Sequence, residues 1–254
     1  MNIKLYKYTS HNSNYKYNII KNSELWFSNV KSFNDPLDSQ LDYRQCYTKN
    51  EIKKYWKYFL KKKPNHPQSL KQILKKYGDI FNFLSQQKRV FEAFRLQMGV
   101  LCMSSNPENI LMWSHYANNH KGIVYEFDYN LFSNFSTNSF KGNPYKIDYP
   151  NNKSYELLSY VKTNKKRDTQ FIKELTTKAI DWKYEEEYRF IDLANNGNKL
   201  FNHKSLTSII FGVRTDECEI IKVKKLCLKN GFNHIKFKKA QFIQGKFEIQ
   251  IVEI

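Results

Sequence analysis

The chain has 254 residues, with 42 Lys and Arg against 24 Asp and Glu, so its formal net charge is +18. Hydrophobic residues make up 41% and aromatic residues 16%, which is enough for a substantial core and excludes a globally disordered chain. No stretch approaches the roughly 18 apolar residues that span a bilayer, the first residues do not resemble a signal peptide, and four cysteines are too few for a disulfide scaffold.

The positive charge is concentrated in two stretches. Residues 52–78 contain nine lysines and residues 222–246 contain eight, and neither stretch contains an acidic residue. A basic surface favours phosphate-bearing partners, so we expect these lysines to approach a nucleic acid or a protein acceptor. A solvated helix face would also account for such a run of lysines. So would the codon usage of an AT-rich genome, because 36 of the 42 basic residues are Lys.

Short strands and one long helical segment are predicted for the first part of the chain. Strands are expected at 3–8 and 24–28, followed by a turn at Ser32–Pro36. Residues 50–98 are predicted to be helical. The 3.6-residue spacing in the last of these helices predicts a buried stripe formed by Ile80, Leu84, Phe91, Phe94 and Met98.

Strands and helices alternate irregularly in the rest of the chain. Helices are predicted at 107–117, 153–180 and 215–230, the last ended by Gly231. Strands are predicted at 99–104, 122–127, 145–149, 184–193, 207–212, 233–237 and 247–252. Because no linker or repeat divides the chain, we expect a single α+β domain over 1–254, with mixed or antiparallel sheets and a helical insertion at about 45–98.

The first candidate constellation lies where a helix is followed by a strand. It contains Trp113, Ser114, His115 and Tyr116, with His120 five residues after His115. That spacing does not place two imidazoles on one helix face, so we expect no metal centre. His115 is a candidate general base or phosphate ligand. The alternative is that His115 or His120 only caps the end of the helix.

The second constellation combines three consecutive carboxylates with an arginine. In a strand, Glu185, Glu187 and Arg189 would share one face, while Tyr184 and Tyr188 would pack on the other. The acidic face would then point to a cleft or to water, where paired carboxylates stabilise positive charge on a substrate. An ion-pair ladder between Glu187 and Arg189 at the surface is the alternative.

The third constellation offers a cation and hydroxyl groups near the N-terminus. It combines the strand that carries Lys7, Tyr8 and Thr9 with the segment that carries Phe27 and Ser28. The turn that carries Asn34 and Asp35 follows. Glycine-rich phosphate loops and nucleophile elbows are not found in the sequence, which disfavours dinucleotide-binding dehydrogenases, P-loop NTPases and α/β hydrolases.

Together these segments resemble the bacterial family defined by the domain of unknown function 2971. The resemblance runs through Leu5–Tyr8, Leu25–Pro36, Leu101–Ser104, Met112–Gly122 and Trp182–Arg189, and continues at Ile209–Gly212. It implies a bacterial protein, which we expect in the cytoplasm, but it implies no activity.

The same segments more distantly resemble ADP-ribosyltransferase-like enzymes. Lys7 and Thr9 stand where that family has a His-x-Thr strand, Phe27-Ser28 resembles its middle element, and Glu185-x-Glu187 resembles its Glu-x-Glu motif. The resemblance implies a split sheet and cleavage of NAD at the nicotinamide glycosidic bond, with transfer of ADP-ribose in a defence or toxin-like role. On this hypothesis we expect catalysis by Glu187, Glu185 and His115. The residues that we expect to bind NAD are Lys7, Tyr8, Thr9, Phe27, Ser28, Asn34, Asp35, Trp113, Tyr116 and Arg189.

Two other functions remain open on the sequence. The lysine-rich stretches are also typical of a nucleic-acid-binding module, or of a metal-independent nuclease with His115 as its base. The aromatic content is compatible with a non-catalytic interaction domain. Convergence of Lys7, Ser28, His115 and Glu187 on one concave site would favour an enzyme.

Overall fold

The computed structural model describes residues 3–10, 17–129, 142–151, 157–159 and 167–254. They divide into two compact units. The first unit takes in 1–28, 99–147 and 181–254, and the second takes in 29–98 and 148–180. The predicted insertion at 45–98 falls within the second unit, which also includes 148–180.

All ten strands in the described residues belong to the first unit. They are β1 (Lys4–Thr9), β2 (Glu24–Phe27), β3 (Gly99–Ser104), β4 (Ile123–Asp128), β5 (Tyr145–Lys146), β6 (Glu187–Asp192), β7 (Gly197–Leu200), β8 (Leu206–Phe211), β9 (Lys236–Phe242) and β10 (Ile249–Glu253). Eight strands form one sheet in the order β10-β9-β8-β4-β1-β3-β6-β5, and β2 pairs with β7 in a second sheet. Only β8 and β9 pair in parallel among these strands. The predicted α+β class with mixed sheets is confirmed.

Seven helices connect or cover the strands in the described residues. They are α1 (Asn18–Lys21), α2 (Lys49–Lys62), α3 (Leu70–Tyr77), α4 (Ile80–Gln97), α5 (Ile110–Tyr116), α6 (Arg167–Thr176) and α7 (Glu217–Lys229). None of the helices in the described part of the chain is long and apolar enough to cross a bilayer.

Both faces of the large sheet in the first unit are covered. Side chains along each strand alternate between the two faces, so each face carries apolar residues. On one face Leu5 and Tyr125 pack with Ile220 of α7 and with the small sheet. On the other face Tyr8 packs edge-on against Trp113 of α5, with ring centroids 5.4 Å apart. Because β1 lies in the middle of the sheet, its consecutive side chains point alternately into these two packed layers.

The second unit has its own core, built from aromatic and aliphatic side chains of α2, α3 and α4 and of the loops beside them. Tyr55, Trp56 and Phe83 meet edge-on in this core. α2 and α3 both begin with a capping box, Thr48 with Glu51 and Ser69 with Gln72. These reciprocal hydrogen bonds satisfy the first backbone N–H groups and fix where each helix starts.

Three details of the predicted elements are wrong. The stripe predicted for α4 is wrong for Ile80, which is 38% exposed, and for Phe94, which is 49% exposed, because the helix also turns Phe83 and Gln87 into its core; Leu84 and Phe91 pack against that core and Met98 is buried, as predicted. α5 begins at Ile110 rather than near Pro107, since the Asn109 side chain accepts hydrogen bonds from the N–H groups of Leu111 and Met112.

The third error concerns the strand predicted at 184–193. Residues Ile180–Glu185 form a 3-10 helix instead, and Glu186 has a positive φ of 46° before β6 begins at Glu187. Glu185 and Glu187 therefore do not share a strand face. Of the helix predicted at 153–180, α6 is observed at Arg167–Thr176, whereas residues 157–159 and 177–179 are not helical. Residues 153–156 and 160–166 lie outside the described residues.

Candidate functional site

A cleft of about 280 Å³ opens in the first unit, where the ends of β1 and β2 meet α1 and β7. It is lined by Lys7, Tyr8, Thr9, Ser10, Asn18, Ile19, Glu24, Leu25, Trp26, Ser28 and Asn198. The lining residues include one cation, one carboxylate and one indole ring. The cleft combines a basic group with several hydroxyl and amide groups, which is the inventory needed for an oxygen-rich anionic ligand.

The alternation of β2 explains how this wall is built. Leu25 and Phe27 are buried in the core, so the intervening side chains of Glu24, Trp26 and Ser28 take the other side of the strand. Trp26 is 39% exposed, and Asn198 lies opposite it on β7. A carboxylate, an indole and a hydroxyl group thus follow one another along the same wall of the cleft.

Lys7 supplies the cation. Its ammonium donates a hydrogen bond to the backbone carbonyl of Cys102, at 3.1 Å. Burial lowers the pKa of Lys7 below its ordinary value, although Cys102 and Glu187 oppose the shift. A lysine ammonium has three donors, and one acceptor is seen for it among the described residues. The remaining N–H groups of this desolvated cation have room for a ligand anion.

Glu187 and Arg189 lie on the opposite face of the sheet from Lys7. Tyr6 is opposite Ser104, and Ser104 is opposite Glu187, so these three residues share a face. Lys7 follows Tyr6 in β1 and therefore points the other way. Glu187 is held by Arg189 through two hydrogen bonds, Nε to Oε1 at 2.7 Å and Nη2 to Oε2 at 3.0 Å.

This ion pair corrects the prediction that the acidic face points to a cleft or to water. Glu187 is 3% and Arg189 0% exposed. The alternative prediction of a surface ladder is also wrong in its location, since the pair is buried. A bidentate guanidinium–carboxylate contact of this kind fixes both side chains in one geometry.

Glu185 is buried beside α5. Its Oε1 accepts a hydrogen bond of 2.6 Å from the hydroxyl of Tyr116. The next residue, Glu186, is exposed and accepts a hydrogen bond from Asn106 Nδ2 at 2.9 Å. The three consecutive carboxylates therefore have three different environments, and none of them lines the cleft.

The two histidines near the end of α5 also differ. His115 is exposed, with its ring 6.2 Å from that of Tyr184, so it lies outside the cleft lining. His120 stacks on Trp113, and its Nε2 is 3.2 Å from the hydroxyl of Ser114. Burial, together with the charge of Arg214, lowers the pKa of His120. Both effects favour the neutral imidazole.

A strained turn holds His120 in place. Asn118, Asn119 and His120 all have positive φ, between 47° and 68°. The carbonyl of His120 accepts the N–H of Arg214 at 3.0 Å. Gly212 passes so close to this carbonyl that a Cβ atom would lie 2.0 Å from it, so a glycine is required there.

The predicted site residues therefore separate into groups. Lys7, Tyr8, Thr9 and Ser28 line the cleft. Phe27 and Trp113 are fully buried core residues. Tyr116 holds Glu185, while Arg189 holds Glu187. Asn34 and Asp35 belong to the second unit.

Several cleft residues were not among the predicted site residues. These are Ser10, Asn18, Ile19, Glu24, Leu25, Trp26 and Asn198. The alternation of Glu24, Trp26 and Ser28 between buried Leu25 and Phe27 was a usable signal for one wall. Asn198 gave none, because its position depends on a pairing across more than 170 residues.

A family model described as "Protein of unknown function (DUF2971)" matches residues 112–190. The predicted resemblance to this family is confirmed over that segment. The DUF2971 segment includes most of α5, the strained turn and the Glu187–Arg189 pair, whereas the residues that line the cleft lie outside it. No curated protein and no solved structure matches the chain.

Proposed function

We propose that the cleft binds an NAD-type dinucleotide and that the protein cleaves the nicotinamide glycosidic bond, with ADP-ribose passing to an acceptor or to water. The observation that carries the proposal is the meeting of Lys7, Trp26 and Glu24 in one cleft. The distant resemblance to ADP-ribosyltransferase-like enzymes supports it, because Lys7, Thr9 and Ser28 are three of the positions that carry the resemblance.

Each part of the cleft has a counterpart in such a ligand. The partly desolvated ammonium of Lys7 suits a phosphate oxygen, and the exposed indole of Trp26 suits the face of a nicotinamide or adenine ring. Serine, threonine and asparagine side chains suit ribose hydroxyls. At about 280 Å³ the cleft lies just below the roughly 300–1,000 Å³ of ligand pockets, so we expect it to take up only one nucleoside half of the dinucleotide.

The chemistry requires a carboxylate beside the reacting ribose. As the C1′–N bond breaks, nicotinamide leaves with the electron pair and positive charge develops on the ribose. A nearby carboxylate stabilises that charge more than it stabilises the ground state. The resemblance assigns this role to Glu187, but Glu24 is the carboxylate of the cleft wall. We therefore propose Glu24 as the catalytic carboxylate, with Glu187 as the alternative assignment.

Nicotinamide release from NAD, followed by chromatography, tests the function. The wild-type protein should release nicotinamide, and Glu24→Gln should reduce the rate roughly a hundredfold or more with its thermal unfolding unchanged. Glu187→Gln is the matched carboxylate variant and should lower the unfolding temperature instead.

Two outcomes would contradict the proposal: the first would contradict the function, and the second only the choice of catalytic residue. Absence of both NAD binding and nicotinamide release in the wild-type protein would remove the function. Loss of release in a stably folded Glu187→Gln variant, with Glu24→Gln fully active, would keep the function and return the catalytic role to Glu187.

A further inference from the structure

The second unit carries a strongly basic helical surface. All nine lysines between Ile52 and Gly78 are exposed, and within the described part of the chain none of them has an acidic partner. We call these nine residues the basic face; its members are Lys53, Lys54, Lys57, Lys61, Lys62, Lys63, Lys71, Lys75 and Lys76. The whole chain has 24 acidic residues, yet none lies in this segment.

The lysines are arranged in rows. Lys53, Lys57 and Lys61 follow one another at i, i+4 spacing on α2, directed away from the buried side chains of Ile52 and Trp56. At 1.5 Å per residue, this row is about 12 Å long. Like charges at i, i+4 repel one another and destabilise a helix. A bound polyanion would remove that repulsion.

The row is mounted on a rigid support. The ring of Trp56 in α2 stacks on Tyr77 of α3, and its Nε1 donates to the Tyr77 carbonyl at 3.2 Å. Lys63 and Lys76 lie over the rings of Phe59 and Tyr77, at 5.4 and 5.1 Å from the centroids. These contacts restrict the helices and two of the cations before any partner binds.

The other lysine-rich stretch is partly neutralised. Lys238 pairs with Glu126 at 2.7 Å, Lys236 pairs with Glu253 at 3.2 Å, and Lys246 pairs with Glu248 at 3.7 Å. Three of the eight lysines in this stretch are therefore engaged within the first unit. The two stretches look alike in sequence, but only the basic face has no lysine paired with an acidic residue among the described residues.

We propose that the basic face binds the phosphate backbone of a nucleic acid. A regular row of cations on a helix suits a phosphate backbone, which carries one negative charge per nucleotide. Contacts of this kind do not discriminate between base sequences. No large hydrophobic side chain of α2 or α3, the helices that carry eight of the nine lysines, is exposed; the next exposed ones along the chain are Ile80 and Phe81, at the start of α4. Membrane-surface helices and protein-binding hot spots both need such side chains, which makes them poorer occupants.

Fluorescence anisotropy with a labelled 20-base-pair DNA duplex and a labelled single-stranded RNA, between 50 and 200 mM salt, tests the proposal. Lys53→Gln with Lys57→Gln and Lys61→Gln removes the row. The affinity at 50 mM salt should fall at least about tenfold, and the slope of log affinity against log salt should drop by about two to three. The corresponding triple arginine variant should keep the affinity.

The control removes the same charge from the other stretch. Lys222→Gln, Lys225→Gln and Lys229→Gln change three exposed lysines of α7. This variant should stay within about twofold of the wild type. An equal loss of affinity in both triple variants would show that only the net charge of the protein matters, and would overturn the proposal. So would absence of nucleic-acid binding at 50 mM salt, whether or not anionic phospholipid vesicles bind. NAD turnover is a separate readout and does not enter this test.

Discussion

Arg189→Met removes one partner of the buried Glu187–Arg189 pair while keeping most of the side-chain volume. Both side chains are almost fully enclosed, at 1% and 4% exposure. The substitution leaves a carboxylate in the interior without its guanidinium, and breaking a buried pair in this way costs about 3–5 kcal/mol. For a protein of this size, each kcal/mol corresponds to about 2–4 °C in unfolding temperature. We therefore expect a decrease of about 6–20 °C.

Urea and thermal unfolding, followed by circular dichroism, measure the effect. The double variant Glu187→Gln with Arg189→Met should recover much of the loss, because it removes the charge that was left unpaired. Lys236→Met is the control, since its pair with Glu253 is more than 60% exposed on both sides and should change stability by less than about 1 kcal/mol. A loss below about 1 kcal/mol for Arg189→Met would refute the buried ion pair.

Three further predictions concern other parts of the molecule. Burial lowers the pKa of Lys7, so between that pKa and the ordinary lysine pKa the unfolded chain binds more protons than the folded protein. The free energy of unfolding should therefore rise with pH in this window. Lys7→Met should be at least as stable as the wild type, and unfolding titrations of the variant should lack this pH dependence. Asn119→Val should cost roughly 1–2 kcal/mol in urea unfolding, because a β-branched residue is strained at positive φ, whereas Asn119→Gly should be nearly neutral. Exposed Cys46 and Cys218 should react with a thiol reagent at pH 8. Cys102 and Cys227 should react only on unfolding, because burial raises the pKa of both thiols and brings that of Cys227 to about 12. Fast reaction of all four thiols in the folded protein would contradict this.

Much of the fold was predictable because its signals are local. The alternation of Leu25 and Phe27 with polar neighbours identified β2, and the apolar run from Gly99 to Ser104 identified β3 at its observed bounds. β7 was missed, since Gly197–Leu200 has a single apolar residue and becomes a strand only by pairing with β2. Such a pairing depends on tertiary structure rather than on propensity.

The candidate site was predictable only in part. The hydroxyl and cation at the end of β1 were identified from residue type, and the structure places them with Ser28 in the cleft. The surroundings of Glu187 were not predictable. The sequence indicates that Glu187 and Arg189 share a strand face, but whether that face is covered depends on elements distant in the chain. The positive φ of Glu186, which separates Glu185 from the strand, also has no local signature.

Calorimetric titration of NAD into the wild-type protein and into Lys7→Met tests the central claim most directly. The claim predicts saturable binding by the wild type and an affinity at least about tenfold weaker in the variant, because the variant lacks the cation that faces the phosphate. The expected stability of Lys7→Met separates lost binding from lost folding. Equal affinity in both proteins, or no binding of NAD by the wild type, would contradict the assignment of the cleft.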